Sequence, residues 1–178
     1  MLYLYGFDEI CLAASEVFFV DPAPAVDGQE GPEAGVRVEI RKLERLPLRA
    51  SIYSAQPMAV DTPLLRFDLL ESFPDGLGTR DRVHWHPTFD GWDPSWRKFD
   101  PELSADPLGW LRKNLADLDR LLDSPGHPDG HPDAAALAAR SDEIITSVGR
   151  LWDQVRAGDF NPPGEGWTAE PAFRRGWL

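Results

Sequence analysis

The segment at residues 63–87 constrains the fold most strongly, because two stretches of alternating apolar and polar residues flank a run of turn formers. Strict alternation over residues 64–71 predicts a half-buried β-strand, since successive side chains of a strand point to opposite faces. Residues 74–78 read Pro-Asp-Gly-Leu-Gly, and glycine takes the positive φ angles of tight turns without steric cost. We therefore predict an antiparallel β-hairpin whose return strand starts near Arg80.

The predicted hairpin collects its charged and histidine side chains on one face. Directly opposed residues of an antiparallel pair lie on the same side of the sheet, so packing the apolar residues of both strands together also groups the polar ones. The polar set is Arg66, Asp68, Arg82, His84 and His86. We predict a register with Asp68 opposite His84 and Arg66 opposite His86; a two-residue slip would pair Asp68 with His86 instead.

Histidines two residues apart on a strand form half of a metal site, because their α-carbons lie roughly 6.8 Å apart on one face and both rings can reach one ion. His84 and His86 have this spacing, and Asp68 is the nearest third ligand in the hairpin. Further ligands outside the polar set are Glu71, Asp81, His127 and His131. The candidate cofactor is a divalent metal, zinc or manganese. Arg66 and Arg82 disfavour a cation here unless an anionic group lies between the charges.

Two other interpretations of the same polar face remain open. In a site without metal, Asp68 orients His84 as a general acid or base, while Arg66 and Arg82 hold an anion. The simplest alternative is a polar sheet face crossed by ion pairs, which are common between neighbouring exposed strands. Standard catalytic motifs, such as a phosphate-binding loop or a nucleophile elbow, do not occur in the sequence.

Length and charge limit the classes of protein to which the chain can belong. Its 178 residues, 42% of them hydrophobic, predict one globular domain at residues 1–158 and an aromatic tail at 159–178. The formal net charge of −12 disfavours nucleic-acid binding and suits a basic protein partner. The sequence contains neither a long apolar stretch nor a signal-peptide start, so we expect a cytoplasmic protein without membrane contact. Cys11 lies in an apolar run and is expected to be a buried, inert thiol.

Further alternating segments predict an α+β fold with an antiparallel sheet of four to six strands, packed on one face against a C-terminal pair of α-helices. The Pro-, Gly- and acid-rich residues 21–35 are expected to form an exposed loop. Besides the hairpin, strands are expected at residues 2–7, 10–20, 36–46 and 49–60.

Two helices are predicted in the C-terminal half. Leucines three and four residues apart follow Asp106 and predict a helix over residues 107–122, with Asp106 as its N-cap. Asp133 is expected to cap a second helix that runs to about Ala157. The sequence His-Pro-Asp-Gly-His-Pro-Asp at 127–133 lies between these helices, and an inert linker is favoured over a metal site there.

The region between the hairpin and the first helix is rich in aromatic residues. Such side chains are expected to be covered, either by extending the core, which is the favoured alternative, or by packing over the polar face of the hairpin and closing a pocket there. The aromatic residues of this region are Phe89, Trp92, Trp96 and Phe99.

The order RFDLLES, a turn, DRVHWHP, GW and DPLGWL resembles a family of uncharacterised, mostly actinobacterial proteins. The resemblance covers roughly residues 36–122, and Asp68, His84 and His86 match its pattern; the 127–133 loop and the tail lie outside it. The hairpin alone is also similar to small toxins of toxin–antitoxin pairs that place Arg-Tyr-Asp before paired histidines. Neither resemblance implies a mechanism.

The sequence therefore favours a small enzyme-like protein that hydrolyses an anionic substrate at the His/Asp/Arg face, either with a metal or by acid–base catalysis. The alternative is a non-catalytic acidic module that binds a basic protein, as immunity and antitoxin-like proteins do. Substrate, pathway and oligomeric state do not follow from the sequence.

Overall fold

Five antiparallel strands in chain order form the main sheet of this computed structural model, which describes residues 1–20, 31–73, 76–122 and 131–160. The strands are β1 (Leu2–Gly6), β2 (Ile10–Val20), β3 (Pro32–Arg45), β4 (Met58–Ser72) and β5 (His84–His86). A separate two-stranded ribbon follows, with β6 (Phe89–Asp90) and β7 (Asp93–Pro94). The helices are α1 (Pro101–Ala105), α2 (Pro107–Leu115), α3 (Leu118–Leu122) and α4 (Ala134–Arg156). The predicted α+β class and strand number are confirmed.

One face of the main sheet is apolar and packs against the helices. Phe67 of β4 lies at its centre, with its ring centroid 5.9 Å from that of Trp85 in β5 and 5.6 Å from that of Trp110 in α2. Residues of α4 such as Leu137 and Val148 are fully buried in the same core. Burying one large apolar side chain stabilises the fold by about 1.5–3 kcal/mol. Because the apolar residues of each strand face the helices, the polar residues that alternate with them lie on the opposite face of the sheet.

The helix predicted over residues 107–122 begins as expected but is interrupted. Asp106 caps α2, because its Oδ1 accepts a hydrogen bond of 3.1 Å from the Gly109 N–H. The prediction of one continuous helix is wrong, since α2 ends at Leu115 and α3 starts three residues later. The Asp117 N–H donates to the Asn114 carbonyl at 3.0 Å, which tightens the end of α2 and redirects the chain.

None of the helices in the described ranges has the length and hydropathy that crossing a bilayer requires.

Asp133 stands at the N-cap position of α4, but its side chain makes no capping hydrogen bond, contrary to the prediction. Its carboxylate instead accepts hydrogen bonds from the N–H groups of Asp8, Glu9 and Ile10, at 3.0, 2.8 and 3.0 Å. These N–H groups lie in the turn between β1 and β2 and at the first residue of β2. The carboxylate therefore fastens the start of α4 to the sheet, and the competing backbone donors explain why it leaves the helix uncapped.

The strand predicted at residues 49–60 is wrong, because residues 46–57 form a loop. Ile52 and Tyr53 are 82% and 92% exposed there, and the flanking Pro47 and Pro57 cannot donate ladder hydrogen bonds. Strand β4 starts at Met58 and includes the first strand of the predicted hairpin.

The loop predicted at residues 21–35 extends too far, since β3 starts at Pro32. Residues 21–30, 123–130 and the tail at 161–178 lie outside the described residues.

Candidate metal centre

The hairpin pairs in the predicted register, with Asp68 opposite His84 and Arg66 opposite His86. Strand β5 is also held at its outer edge, because Trp85 and Lys98 exchange two backbone hydrogen bonds of 3.1 and 2.8 Å. Both histidine rings are therefore carried by a short strand that is fixed on both sides.

Asp68, His84 and His86 converge on one point. Asp68 Oδ2 lies 3.5 Å from His84 Nε2 and 3.6 Å from His86 Nε2. One potential ligand atom from each residue lies within 4.8 Å of the other two, and all three side chains are buried. In the part of the chain that the structure describes, this is the one group of three His, Cys, Asp or Glu residues with such spacing. The group can hold a metal ion.

Backbone hydrogen bonds fix the tautomer that each imidazole ring adopts in its neutral form. His84 Nδ1 lies 2.6 Å from the Arg82 carbonyl oxygen, and His86 Nδ1 lies 2.6 Å from the Ser95 carbonyl oxygen. A carbonyl oxygen only accepts, so each Nδ1 carries the hydrogen and donates it. Each neutral ring then presents the lone pair of Nε2 toward Asp68, as metal-binding histidines do.

The distances within the triad fit a shared cation better than hydrogen bonds. Separations of 3.5 and 3.6 Å between Asp68 Oδ2 and the two Nε2 atoms are too long for good hydrogen bonds. Zinc binds nitrogen and oxygen ligands at about 2.0–2.2 Å in a tetrahedron, which places neighbouring ligand atoms about 3.4 Å apart. The two Asp68 separations lie within a few tenths of an ångström of this value, and all three ligand atoms lie within 4.8 Å of one another, so the group could hold a small ion.

Arg37 of β3 forms an ion pair with Asp68. Arg37 was not identified as a residue of the site from the sequence. Its Nε donates to Asp68 Oδ1 at 2.7 Å and its Nη2 to Asp68 Oδ2 at 3.2 Å. Burial alone would raise the pKa of Asp68, but the charge of Arg37 opposes this effect, and that pKa lies well below its usual range. Asp68 is therefore a carboxylate whose orientation is fixed, as expected of a metal ligand with a second partner.

The triad belongs to a larger buried layer of charges on the same sheet face. Glu39 accepts hydrogen bonds from Arg66 Nε at 2.8 Å and from Arg41 Nη1 at 3.0 Å. Burial, followed by the nearby charge of Arg37, lowers the pKa of Arg66 from its ordinary value. The layer thus concentrates positive charge in a protein whose net charge is strongly negative.

Arg82 lies next to the triad in sequence but its guanidinium contacts other groups. Its Nε is 3.0 Å from Ser72 Oγ and 3.2 Å from Asp81 Oδ2. Glu71, proposed as an additional ligand, instead accepts hydrogen bonds from Arg156 and from the N–H groups of Gly78 and Arg80.

The remaining candidates also lie apart from the triad. His131 accepts a hydrogen bond of 3.2 Å from the Asp133 N–H, near the start of α4, and His127 lies outside the described residues. Cys11 is buried as predicted, and burial raises the pKa of its thiol.

The aromatic region that follows the hairpin packs over the polar face, not into the core. The Phe99 ring lies 5.5 Å from the His84 ring, and the Phe89 ring lies 6.4 Å from the His86 ring. Trp92 lies under the Arg41 guanidinium at 5.0 Å, whereas Trp96 is 73% exposed. None of these four aromatic residues belongs to the core cluster, so the favoured expectation of a larger core is wrong.

A surface cleft of about 490 Å³ lies elsewhere, between β1 and α4. Residues from both elements line it, including Tyr3, Tyr5 and Arg150, and the Tyr5 hydroxyl lies 2.7 Å from Ser147 Oγ. No residue of the triad contributes to this cleft. The buried triad, beside the rings of Phe89 and Phe99, is therefore separate from this cleft.

Comparisons of the chain with protein-family models, with curated proteins and with solved structures give no match. The resemblance to the actinobacterial family stays a prediction.

Proposed function

We propose that the protein is a metal-dependent hydrolase in which Asp68, His84 and His86 bind one divalent ion. The single observation that carries this proposal is the convergence of two Nε2 lone pairs and a carboxylate oxygen, with both Nδ1 atoms hydrogen-bonded to backbone carbonyls. Three acceptors that face one another in a buried place repel unless a cation lies between them. The geometry therefore favours a metal centre over a simple pattern of ion pairs.

Three protein ligands leave a fourth position for water or substrate, which is typical of catalytic zinc sites and not of structural ones. A zinc ion there would lower the pKa of its bound water to about 7 and so supply a nucleophile at neutral pH. Arg37 would hold Asp68 in place during this reaction, and the two backbone carbonyls would hold the histidines. Two imidazoles and one carboxylate suit zinc better than manganese, which prefers oxygen ligands.

The metal-dependent and the metal-free reaction both require access of the substrate to buried side chains. A general acid or base has to come within hydrogen-bond reach of a substrate, and Asp68, His84 and His86 are 2%, 1% and 6% exposed. Access would require movement of the aromatic segment that covers the rings of both histidines. We infer that this segment opens during turnover and that it excludes water when closed.

Metal content tests the proposal directly. Protein stripped of metal and then exposed to zinc should retain one ion per chain, measured by elemental analysis after gel filtration. His84→Ala, His86→Ala and Asp68→Asn should each weaken zinc binding by more than about 100-fold, since loss of a direct ligand costs at least as much as loss of its outer partner. The matched control is His131→Ala, a buried histidine outside the triad, which should keep full metal content.

Equal zinc content in the wild type and the triad variants would contradict the metal centre. The hydrolase part is tested separately by assaying chromogenic phosphate and carboxylate esters with metal-loaded and metal-free protein. Zinc binding without any metal-dependent hydrolysis would leave a metal site and refute the proposed reaction.

A further inference from the structure

Arg66 lies beside the triad and has hydrogen-bonding capacity that its neighbours do not use. It is opposite His86 in the register of β4 and β5, so the two β-carbons lie roughly 5 Å apart on the same face. It is also two residues from Asp68 on one strand, which places it next to a second proposed ligand. Arg66 therefore lies beside the triad on the same face of the sheet.

The contacts of Arg66 hold one side of its guanidinium and leave another side available. Nε donates to Glu39 Oε1 at 2.8 Å, and the Phe89 ring lies 5.1 Å from the guanidinium carbon. The structure gives neither Nη atom a hydrogen-bond partner among the described residues, and the side chain remains 11% exposed. A planar guanidinium with unused N–H groups is suited to binding two oxygens of one carboxylate or phosphate.

Charge provides a second, independent argument for an anion at this position. Three arginines, Arg37, Arg41 and Arg66, form ion pairs with two carboxylates, Glu39 and Asp68, so the layer carries a net charge of +1 with neutral imidazoles. A divalent ion in the triad raises this charge to +3. An excess of buried positive charge is unfavourable unless an anion offsets it. The metal-loaded site therefore favours a negatively charged ligand.

We propose that Arg66 holds an oxyanion of the substrate, a carboxylate or phosphate group, against the open position of the metal. This assignment rests on the metal centre proposed above. The ligand class is an anion with at least two oxygens, because one oxygen reaches the metal while another accepts from the guanidinium. Phe89 covers both Arg66 and His86, so it closes over this anion.

Cobalt substitution tests the assignment with a spectroscopic signal that does not depend on activity. Full-length protein loaded with one Co²⁺ per chain is titrated with inorganic phosphate or with acetate, and the visible absorption bands of the cobalt are recorded. We expect a saturable spectral change in the wild type. Arg66→Gln should bind the same amount of Co²⁺ but need roughly tenfold or more anion for half saturation, because hydrogen bonds to charged groups are lost.

Two control variants distinguish the loss of an anion contact from a general loss of structure. Arg66→Lys keeps the charge without the planar fork and should fall between the wild type and Arg66→Gln. Arg112→Gln removes an arginine whose ion pair with Asp142 is exposed, and should titrate like the wild type. A response to phosphate alone assigns a phosphoryl substrate, and a response to acetate alone assigns a carboxylate substrate.

The outcomes separate this inference from the proposed function. Failure of the wild type to bind Co²⁺ or zinc would refute the metal centre itself. A protein that binds Co²⁺ normally but responds to neither anion would overturn the assignment of Arg66 while leaving the metal centre intact. The same conclusion follows if Arg82→Gln weakens anion binding and Arg66→Gln does not.

Discussion

Two buried aspartates, Asp68 and Asp133, have the same exposure of 2% and opposite surroundings. Asp133 accepts three hydrogen bonds from backbone N–H groups of the β1–β2 turn. Asp68 accepts from Arg37, but its Oδ2 also lies 3.5 and 3.6 Å from two imidazole Nε2 atoms, which are acceptors in the neutral tautomer that the backbone fixes. A histidine lies beside each aspartate, so the types of neighbouring residue alone do not show which aspartate could bind a metal.

The difference shows what makes a buried carboxylate a candidate ligand. Buried polar groups normally find hydrogen-bond partners, and Asp133 follows that rule with donors supplied by the chain itself. Around Asp68 the acceptors face one another, an arrangement that a cation stabilises and that the backbone bonds of both histidines enforce. We therefore assign Asp133 to the stability of the fold and keep Asp68 as the proposed metal ligand.

Replacement of Asp133 should give the largest effect on stability. Asp133→Ala leaves three N–H groups without their acceptor, that of Ile10 buried and the other two partly buried, and detaches the start of α4 from the sheet, so we expect a loss of about 3–5 kcal/mol in the free energy of unfolding. Urea denaturation followed by circular dichroism measures this loss. Asp100→Ala, which removes the exposed N-cap of α1, should cost only about 1 kcal/mol. Similar losses in both variants would refute the assigned role of Asp133.

Zinc should stabilise the wild type by an amount that the triad variants lack. At a free zinc concentration 100 times the Kd, binding to the folded state contributes about 2.7 kcal/mol, which corresponds to a rise in Tm of roughly 5–10 °C for a chain of this size. Differential scanning calorimetry with and without zinc measures the rise. His84→Ala and His86→Ala should show none. An equal rise in these variants would place the zinc elsewhere and remove the contrast with Asp133.

The triad could be predicted from the sequence because it depends on the two-residue period of a strand. Once residues 64–71 and the return strand are recognised as a hairpin, parity alone places Asp68, His84 and His86 on one face, whatever the turn geometry. Apolar partners then select the register, since Phe67 has to pack beside Trp85. The alternation within each strand and the apolar pairing across the hairpin both lie within about 25 residues of sequence, so they can be recognised without knowledge of the tertiary structure.

Arg37 could not be predicted because its position depends on which strand lies next to β4. The strand wrongly expected at residues 49–60 would have separated Arg37 from Asp68, whereas the chain crosses this interval as a loop and pairs β3 directly with β4. The alternation of Arg37, Glu39 and Arg41 with apolar residues was the available signal. The placement of the aromatic segment was also ambiguous, because aromatic rings pack on arginines as well as on apolar side chains.

Glu71 provides a third buried carboxylate, which resembles Asp133 more than Asp68. Burial raises its pKa, but hydrogen bonds from Arg156 and from the N–H groups of Gly78 and Arg80 outweigh this effect and lower the pKa below its ordinary value. Its contribution to stability is therefore complete above the unfolded pKa of about 4.3 and is lost as the pH falls through the lower folded pKa.

Replacing Glu71 should accordingly change both the stability and its pH dependence. We expect Glu71→Gln to lose about 2 kcal/mol at pH 7 and to differ less from the wild type as the pH falls below about 4. Urea denaturation at pH 7, 5, 4 and 3 measures the two curves. Glu102→Gln, at an exposed position in α1, should follow the wild type. Parallel curves for Glu71→Gln and wild type would show that the ionised carboxylate contributes nothing.

Arg37 gives the smallest expected effect and the sharpest test of the Asp68 assignment. If Asp68 is a metal ligand, Arg37→Gln should weaken zinc binding about tenfold, because loss of a partner that orients a ligand typically costs at least that factor. Competition with a chelator of known affinity measures the change. Arg37→Lys, which keeps the charge but not the paired hydrogen bonds, should lie between the two. If Asp68 only forms an ion pair, zinc affinity will not depend on Arg37, and Asp68 will have to be grouped with Asp133 as a carboxylate that stabilises the fold.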